Sequence, residues 1–167
     1  MYNTNYIAGT EYDDTLQGTV GNDEIEGFGG NDTIFGSEGI NYLYGGDGND
    51  LIYGGSQQDV ITGGSGNDTI FASEGDNVIY GGSGNDVIYS GSGDDYINSG
   101  DGYDTLWLGG GDDVIVLDTG YGFDTVNNFQ LGQTTFDVAN PNNLSIVDGY
   151  NGAEIFSGGD LLAVVSS

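Results

Sequence analysis

A nine-residue unit repeated without a gap constrains this chain more than any other feature. Residues 63–89 read GGSGNDTIF ASEGDNVIY GGSGNDVIY. Each unit is a glycine-rich six-residue turn followed by three strand-like residues with an aliphatic one in the middle. The same frame runs from Gly9 to Val116, twelve units in all. Its eighth position is Ile or Leu every time, from Leu16 and Ile25 to Leu106 and Ile115, and its sixth is Asp except at Asn41 and Asn77. After two inserted residues, Leu117 and Asp118, one more unit runs from Thr119 to Asn127. So strict a period predicts a solenoid whose units bury their apolar side only against their neighbours.

The residues of the unit suggest its shape. Positions seven to nine are often β-branched or aromatic and suit a strand. Side chains alternate along a strand, so the eighth points one way and its neighbours the other. The glycines supply turns with positive φ and close backbone approach. Nine residues then make half a coil, and two units close one turn of a flattened solenoid. Coils stack about 4.8 Å apart through parallel ladders, and units 18 residues apart lie above each other. The expected class is all-β: a lead over residues 1–8, repeats over 9–127, and a short β cap over 128–167, where FQLGQTTFDV, NLSIVDG, AEIF and LLAVV read as short strands.

This stacking places the sixth-position carboxylates in columns, in a chain with 27 Asp and Glu and no Lys, Arg, His or Cys. A net charge of −27 without a single cation excludes nucleic acid as an electrostatic partner and argues against anionic membranes. No segment is long or apolar enough to span a bilayer, and MYNTNYIAGT lacks the regions of a cleavable signal peptide. Disulfides are ruled out. Left alone, the column would repel itself. Carboxylate and carbonyl oxygens at this density form a hard-cation site, and without His or Cys that cation is Ca²⁺ rather than Zn²⁺. With a core of essentially one aliphatic side chain per unit, the metal becomes part of the fold. Composition alone, charged and about one-fifth glycine, would instead suggest disorder, and the two states can alternate with calcium.

GGxGxD followed by x, an aliphatic residue and x resembles the RTX, or haemolysin-type, calcium-binding repeat. The resemblance covers residues 9–127 and implies a calcium-loaded parallel β-roll. It also implies a ligand set. Each ion would take carbonyls of the second and fourth residues with the sixth Asp of one unit. The unit 18 residues on would add its first and third carbonyls and its sixth Asp. One ion would sit among Gly46, Gly48, Asp50, Gly63, Ser65 and Asp68. The next would use Gly64, Gly66, Asp68, Gly81, Ser83 and Asp86, and a third Gly82, Gly84, Asp86, Ser99, Asp101 and Asp104. The step before these brings in Gly30, Asp32, Gly45 and Asp47.

Sorting the units by parity predicts unequal edges. One edge carries Asp14, Asp32, Asp50, Asp68, Asp86, Asp104 and Asp124. The other carries Asp23, Asn41, Asp59, Asn77, Asp95 and Asp113, with Gln57 and Gln58 in place of the usual glycine and polar residue. Amide for carboxylate lowers ligand charge and affinity, so the first edge is expected to fill and the second to fill weakly or in part.

Outward positions raise the question of partners. Phe35, Tyr53, Phe71, Tyr89 and Trp107 recur at the ninth position, either as a cross-strand stack that stabilises the sheet or as a binding face. The expectation is a secreted structural protein that folds on calcium and self-assembles head-to-tail or laterally, as a filament, biofilm matrix or surface layer. The alternative is a calcium-dependent secretion and folding module of the kind attached to enzymes or toxins, though the chain leaves no room for an effector domain. A glycan- or ice-binding adhesion role is weaker, because the threonine column of Thr15, Thr33, Thr69 and Thr105 is interrupted by Leu51 and Val87. Catalysis is not expected, since His, Cys and Lys are missing and the carboxylates have repeat roles. The resemblance also implies type I export to an extracellular location, read from an uncleaved C-terminal signal such as GGDLLAVVSS.

Overall fold

The computed structural model of the protein describes residues 4–117, 121–130, 133–138, 144–149, 152–157 and 160–166. The start of the lead, the first residues of the unit at Thr119 and parts of the C-terminal segment, including Gly158 and Gly159, fall outside these. Strands follow the repeat: β1 (Asn5–Thr10), β2 (Thr15–Gln17), β3 (Asp23–Gly29), β4 (Thr33–Phe35), β5 (Tyr42–Asp47), β6 (Leu51–Gly55), β7 (Val60–Ser65), β8 (Thr69–Ser73) and β9 (Val78–Ser83). They continue with β10 (Val87–Tyr89), β11 (Tyr96–Asp101), β12 (Thr105–Trp107), β13 (Val114–Leu117), β14 (Asp124–Asn127) and β15 (Thr135–Val138). The last three are β16 (Leu144–Gly149), β17 (Gly152–Ser157) and β18 (Asp160–Val165).

Odd-numbered strands from β1 to β15 form one sheet and even-numbered strands from β2 to β14 run through the other, so each unit crosses from sheet to sheet. Every pairing within the roll is parallel, and up to β13 the register advances by 18 residues, as in Ile52 beside Ile70 and Ile61 beside Ile79. Across the inserted residues it is 20 from β12 to β14 and 21 from β13 to β15. A one-residue slip would turn each Ile outward. Instead the eighth residues from Ile25 to Ile115 are fully buried in two facing columns, one from each sheet. This is an all-β parallel β-roll.

At the start, β1 pairs with β3 in the same register, setting Asn5 beside Asp23 and Ile7 beside Ile25. The frame therefore extends back before Gly9, with Asn5 in the sixth position and Ile7 in the eighth. At the far end, parallel stacking continues past residue 127, because β15 pairs with β13 and sets Phe136 beside Ile115. The other sheet ends differently. There β18 lies parallel on β14, and β17 and β16 then add antiparallel, bringing Ile155, Leu162 and Val165 over the last coil.

Candidate metal centre

The two edges of the roll are where the six-residue turns stack, and each sixth side chain points inward there. Asp32, Asp50, Asp68, Asp86 and Asp104 are all 2% exposed or less. Their two carboxyl oxygens have different surroundings. Oδ1 accepts the backbone N–H of the sixth residue one coil below: Asp32 donates to Asp50 at 2.7 Å, Asp50 to Asp68, Asp68 to Asp86 and Asp86 to Asp104, each at 2.8 Å. Oδ2 of Asp32, Asp50, Asp68, Asp86 and Asp104 is buried with no partner at all. An unpaired buried carboxylate oxygen is too costly to persist, so a proton or a cation must sit against it.

The surrounding backbone fits a cation. A β-carbon on Gly81 would stand 2.6 Å from Oδ2 of Asp86, and one on Gly63 would stand 2.6 Å from the carbonyl oxygen of Gly81. Carboxylate oxygen and first-position carbonyl thus meet where glycine leaves room. Among the described residues no group of three or more His, Cys, Asp and Glu side chains converges. Each step offers two carboxylates, and carbonyls must supply the rest, a donor set suited to Ca²⁺.

Burial pushes these acids up. Desolvation is the largest cause throughout; the N–H bond to Oδ1 opposes it, and neighbouring carboxylates in the column add to it. Asp68 is raised to about 6 and Asp86 to about 7. Asp32, Asp50 and Asp104 are raised as well.

The opposite edge is built the same way with other atoms. Asn41 and Asn77 accept through Oδ1 from the N–H of Asp23 and Asp59, at 3.0 and 2.9 Å. Their Nδ2 groups donate to the carbonyls of Gly39 and Gly75, at 3.2 and 2.9 Å. Asp59 and Asp95 alternate with them and each keeps a buried, partnerless Oδ2. Burial lifts Asp59 to about 6 and Asp95 to about 7. Asp113 is buried and accepts from Asp95 at 3.2 Å.

At the ends the chain supplies its own partners. Oδ2 of Asp14 accepts the N–H and hydroxyl of Thr10 at 2.6 and 2.7 Å, and Thr19 serves Asp23 in the same way at 2.7 and 3.1 Å. Asp124 accepts the Ser99 hydroxyl at 2.8 Å. Asp47 and Asp101 lie at the exposed third position, where only their carbonyls could reach an ion. Ser65 donates its hydroxyl to Asp47 at 2.5 Å.

One ladder was not anticipated from the sequence. Along the first edge the fifth residues hold the turns together: Asn49 donates its N–H to Oδ1 of Asn31, Asn67 to Asn49, and Asn85 to Asn67, at 2.6 to 2.9 Å. The signal was the Asn before Asp in every GND of that edge.

The sequence model of the RTX calcium-binding nonapeptide repeat (four copies) matches at residues 8–43, 26–61, 35–70, 62–97 and 89–124, together spanning 8–124. The chain belongs to this family. RTX nonapeptide repeats bind calcium, and the orphaned carboxyl oxygens of this RTX roll stand at the repeat's sixth position. Eleven chains of solved structures match the RTX roll. One is the solution structure of the AlgE6R3 subunit from the Azotobacter vinelandii mannuronan C5-epimerase, at 19% identity and a TM-score of 0.23, covering 93% of this chain and 70% of that one. No curated protein matches. Among the described residues of the RTX roll, no helix is long and apolar enough to cross a membrane.

Proposed function

We propose that this calcium-binding β-roll is an extracellular structural module, exported by a type I system, that folds on reaching calcium and associates laterally with copies of itself. Calcium sits between successive sixth-position aspartates of the first edge, completed by the carbonyls that the family pattern implies. Extracellular modules bind in the range of roughly 10⁻⁴–10⁻³ M, so low cytosolic calcium leaves the chain unfolded and ready for export.

The observation that carries self-association is the uncharged outer face of the even-numbered sheet. None of the seventh or ninth residues on β2 to β14 is an acid, from Thr15 and Gln17 to Thr125 and Asn127, in a chain with 27 carboxylates. In its middle Phe35, Tyr53, Phe71 and Tyr89 stack 4.7 to 5.1 Å apart, within 7° of parallel, and Trp107 continues the row at 6.2 Å. Such a face lets two polyanions approach without setting carboxylates against each other. Because the rings cover one another's faces, they present edges outward, which disfavours stacking on a glycan and favours a flat apolar partner. Five rungs make a strip about 20 Å long, small beside the ~800 Å² per partner of a stable pair. Each contact is therefore weak and counts where chains are dense.

Analytical ultracentrifugation at millimolar calcium and rising protein concentration tests this. Reversible association is expected, abolished by Thr69→Asp with Val87→Asp. A monomer at every concentration, or association that the double variant leaves intact, overturns the lateral reading.

A further inference from the structure

The second edge alternates two kinds of sixth residue, and their chemistry differs by one atom. At Asn41 and Asn77, Oδ1 accepts a backbone N–H, so the other terminal atom must be the amide nitrogen. That nitrogen reaches the fourth-position carbonyl of its own turn, Gly39 or Gly75. At Asp59 and Asp95 the equivalent atom is an oxygen with no partner, buried to 1% exposure or less. Asn41 and Asn77 are themselves buried to the same degree. An amide N–H₂ and a cation satisfy the same need here, which is a positive group against an inward-pointing carbonyl.

We infer that Asn41 and Asn77 stand in for calcium within their own turns, making the second edge a metal-sparing seam that needs fewer ions than the first. The seam runs through the middle of the roll, and only its last step, Asp95 to Asp113, has two carboxylates in succession. Each amide also lowers the negative charge of a buried column by one. Steps on both edges share the N–H to Oδ1 bond, so two classes of turn follow. The turns of Asn41 and Asn77 hold no unpaired carboxyl oxygen when calcium is withdrawn, whereas the turns of the first edge do. Chelation should therefore loosen one side of the roll before the other.

The inference rests on the proposed calcium reading, and the test separates them. Bound calcium is counted by equilibrium dialysis and atomic emission, and folding in metal-free buffer is followed by far-UV circular dichroism. In Asn41→Asp plus Asn77→Asp, oxygen faces oxygen where nitrogen now donates. At least two more ions per chain are expected, with a higher calcium concentration needed for half-folding. The reverse exchange, Asp68→Asn, places an amide against the Gly66 carbonyl. It should lose one or two ions yet raise the folded fraction in metal-free buffer, an unusual result for deleting a ligand. Unchanged stoichiometry in the double variant overturns the inference, as does an Asp68→Asn protein less folded than wild type without metal. A double variant that does not fold at any calcium level also counts against it, since calcium should rescue the introduced carboxylates. If wild type binds no calcium, the functional reading fails instead.

Discussion

Withdrawing calcium and then lowering the pH should refold the roll, because a proton can replace the ion against Oδ2. Burial raises Asp86, Asp95 and Asp124 to about 7, and Asp59 and Asp68 to about 6. In the unfolded chain these acids ionise near 4. Between those limits the folded state holds more protons than the unfolded one, so stability rises as pH falls. At pH 8 the buried carboxylates are ionised and destabilise the metal-free roll in full. By pH 5 roughly half of that penalty is relieved. An Asp raised to about 7 gains at most about 2.7 kcal/mol over this span, at ~1.36 kcal/mol per unit. Asp86 and Asp95 lie on opposite edges and act separately. Solvent screening at the edges trims their contributions, leaving a net gain of a few kcal/mol, enough to invert a folding equilibrium. The assay is far-UV circular dichroism with Trp107 fluorescence in buffer freed of calcium by resin, since chelators themselves lose affinity in acid. General relief of repulsion would act on any polyanion. Asp86→Asn distinguishes the two, because it should reduce the pH slope by about 1.4 kcal/mol per unit near pH 6. A folded fraction that is flat or falls between pH 7.5 and 5 would refute the argument. In calcium, the same protons compete with the ion, so affinity should weaken below about pH 7.

Two substitutions probe the turns. Gly81→Ala puts a methyl against Oδ2 of Asp86 and the Ser99 carbonyl, so it should lower calcium stoichiometry and cost a few kcal/mol by urea titration in calcium. Gln57 holds φ at 75° in the fourth position, where glycine is usual. Gln57→Gly should raise the urea midpoint by up to ~1 kcal/mol equivalent, the left-handed cost of ~1–2 kcal/mol less the added unfolded-state entropy.

Much of the fold was legible in the spacing. A period of nine, with Ile or Leu at the eighth position, allows one arrangement in which every apolar residue meets another, and the register of 18 follows from two units per coil. The columns of sixth-position carboxylates followed from that register, as did the difference between the edges. Other features were less visible. Asn5 and Ile7 belong to the frame, but the residues before them lack the glycines that mark a unit. The fifth-position asparagine ladder was present as GND but was overshadowed by the aspartate beside it. The cap was harder still, because β16 to β18 have no repeat to set their direction.

By itself the sequence determined the roll, its register and the metal chemistry, because a strict short period converts linear position directly into stacking. What only the tertiary structure decided is how each polar atom is satisfied. One oxygen of each buried Asp joins a ladder and the other is left without a partner. Thr10, Thr19 and Ser99 close the end aspartates, and two amides donate to carbonyls of their own turns. Those outcomes depend on which groups face each other across a few ångströms of turn, and spacing along the chain does not contain that information.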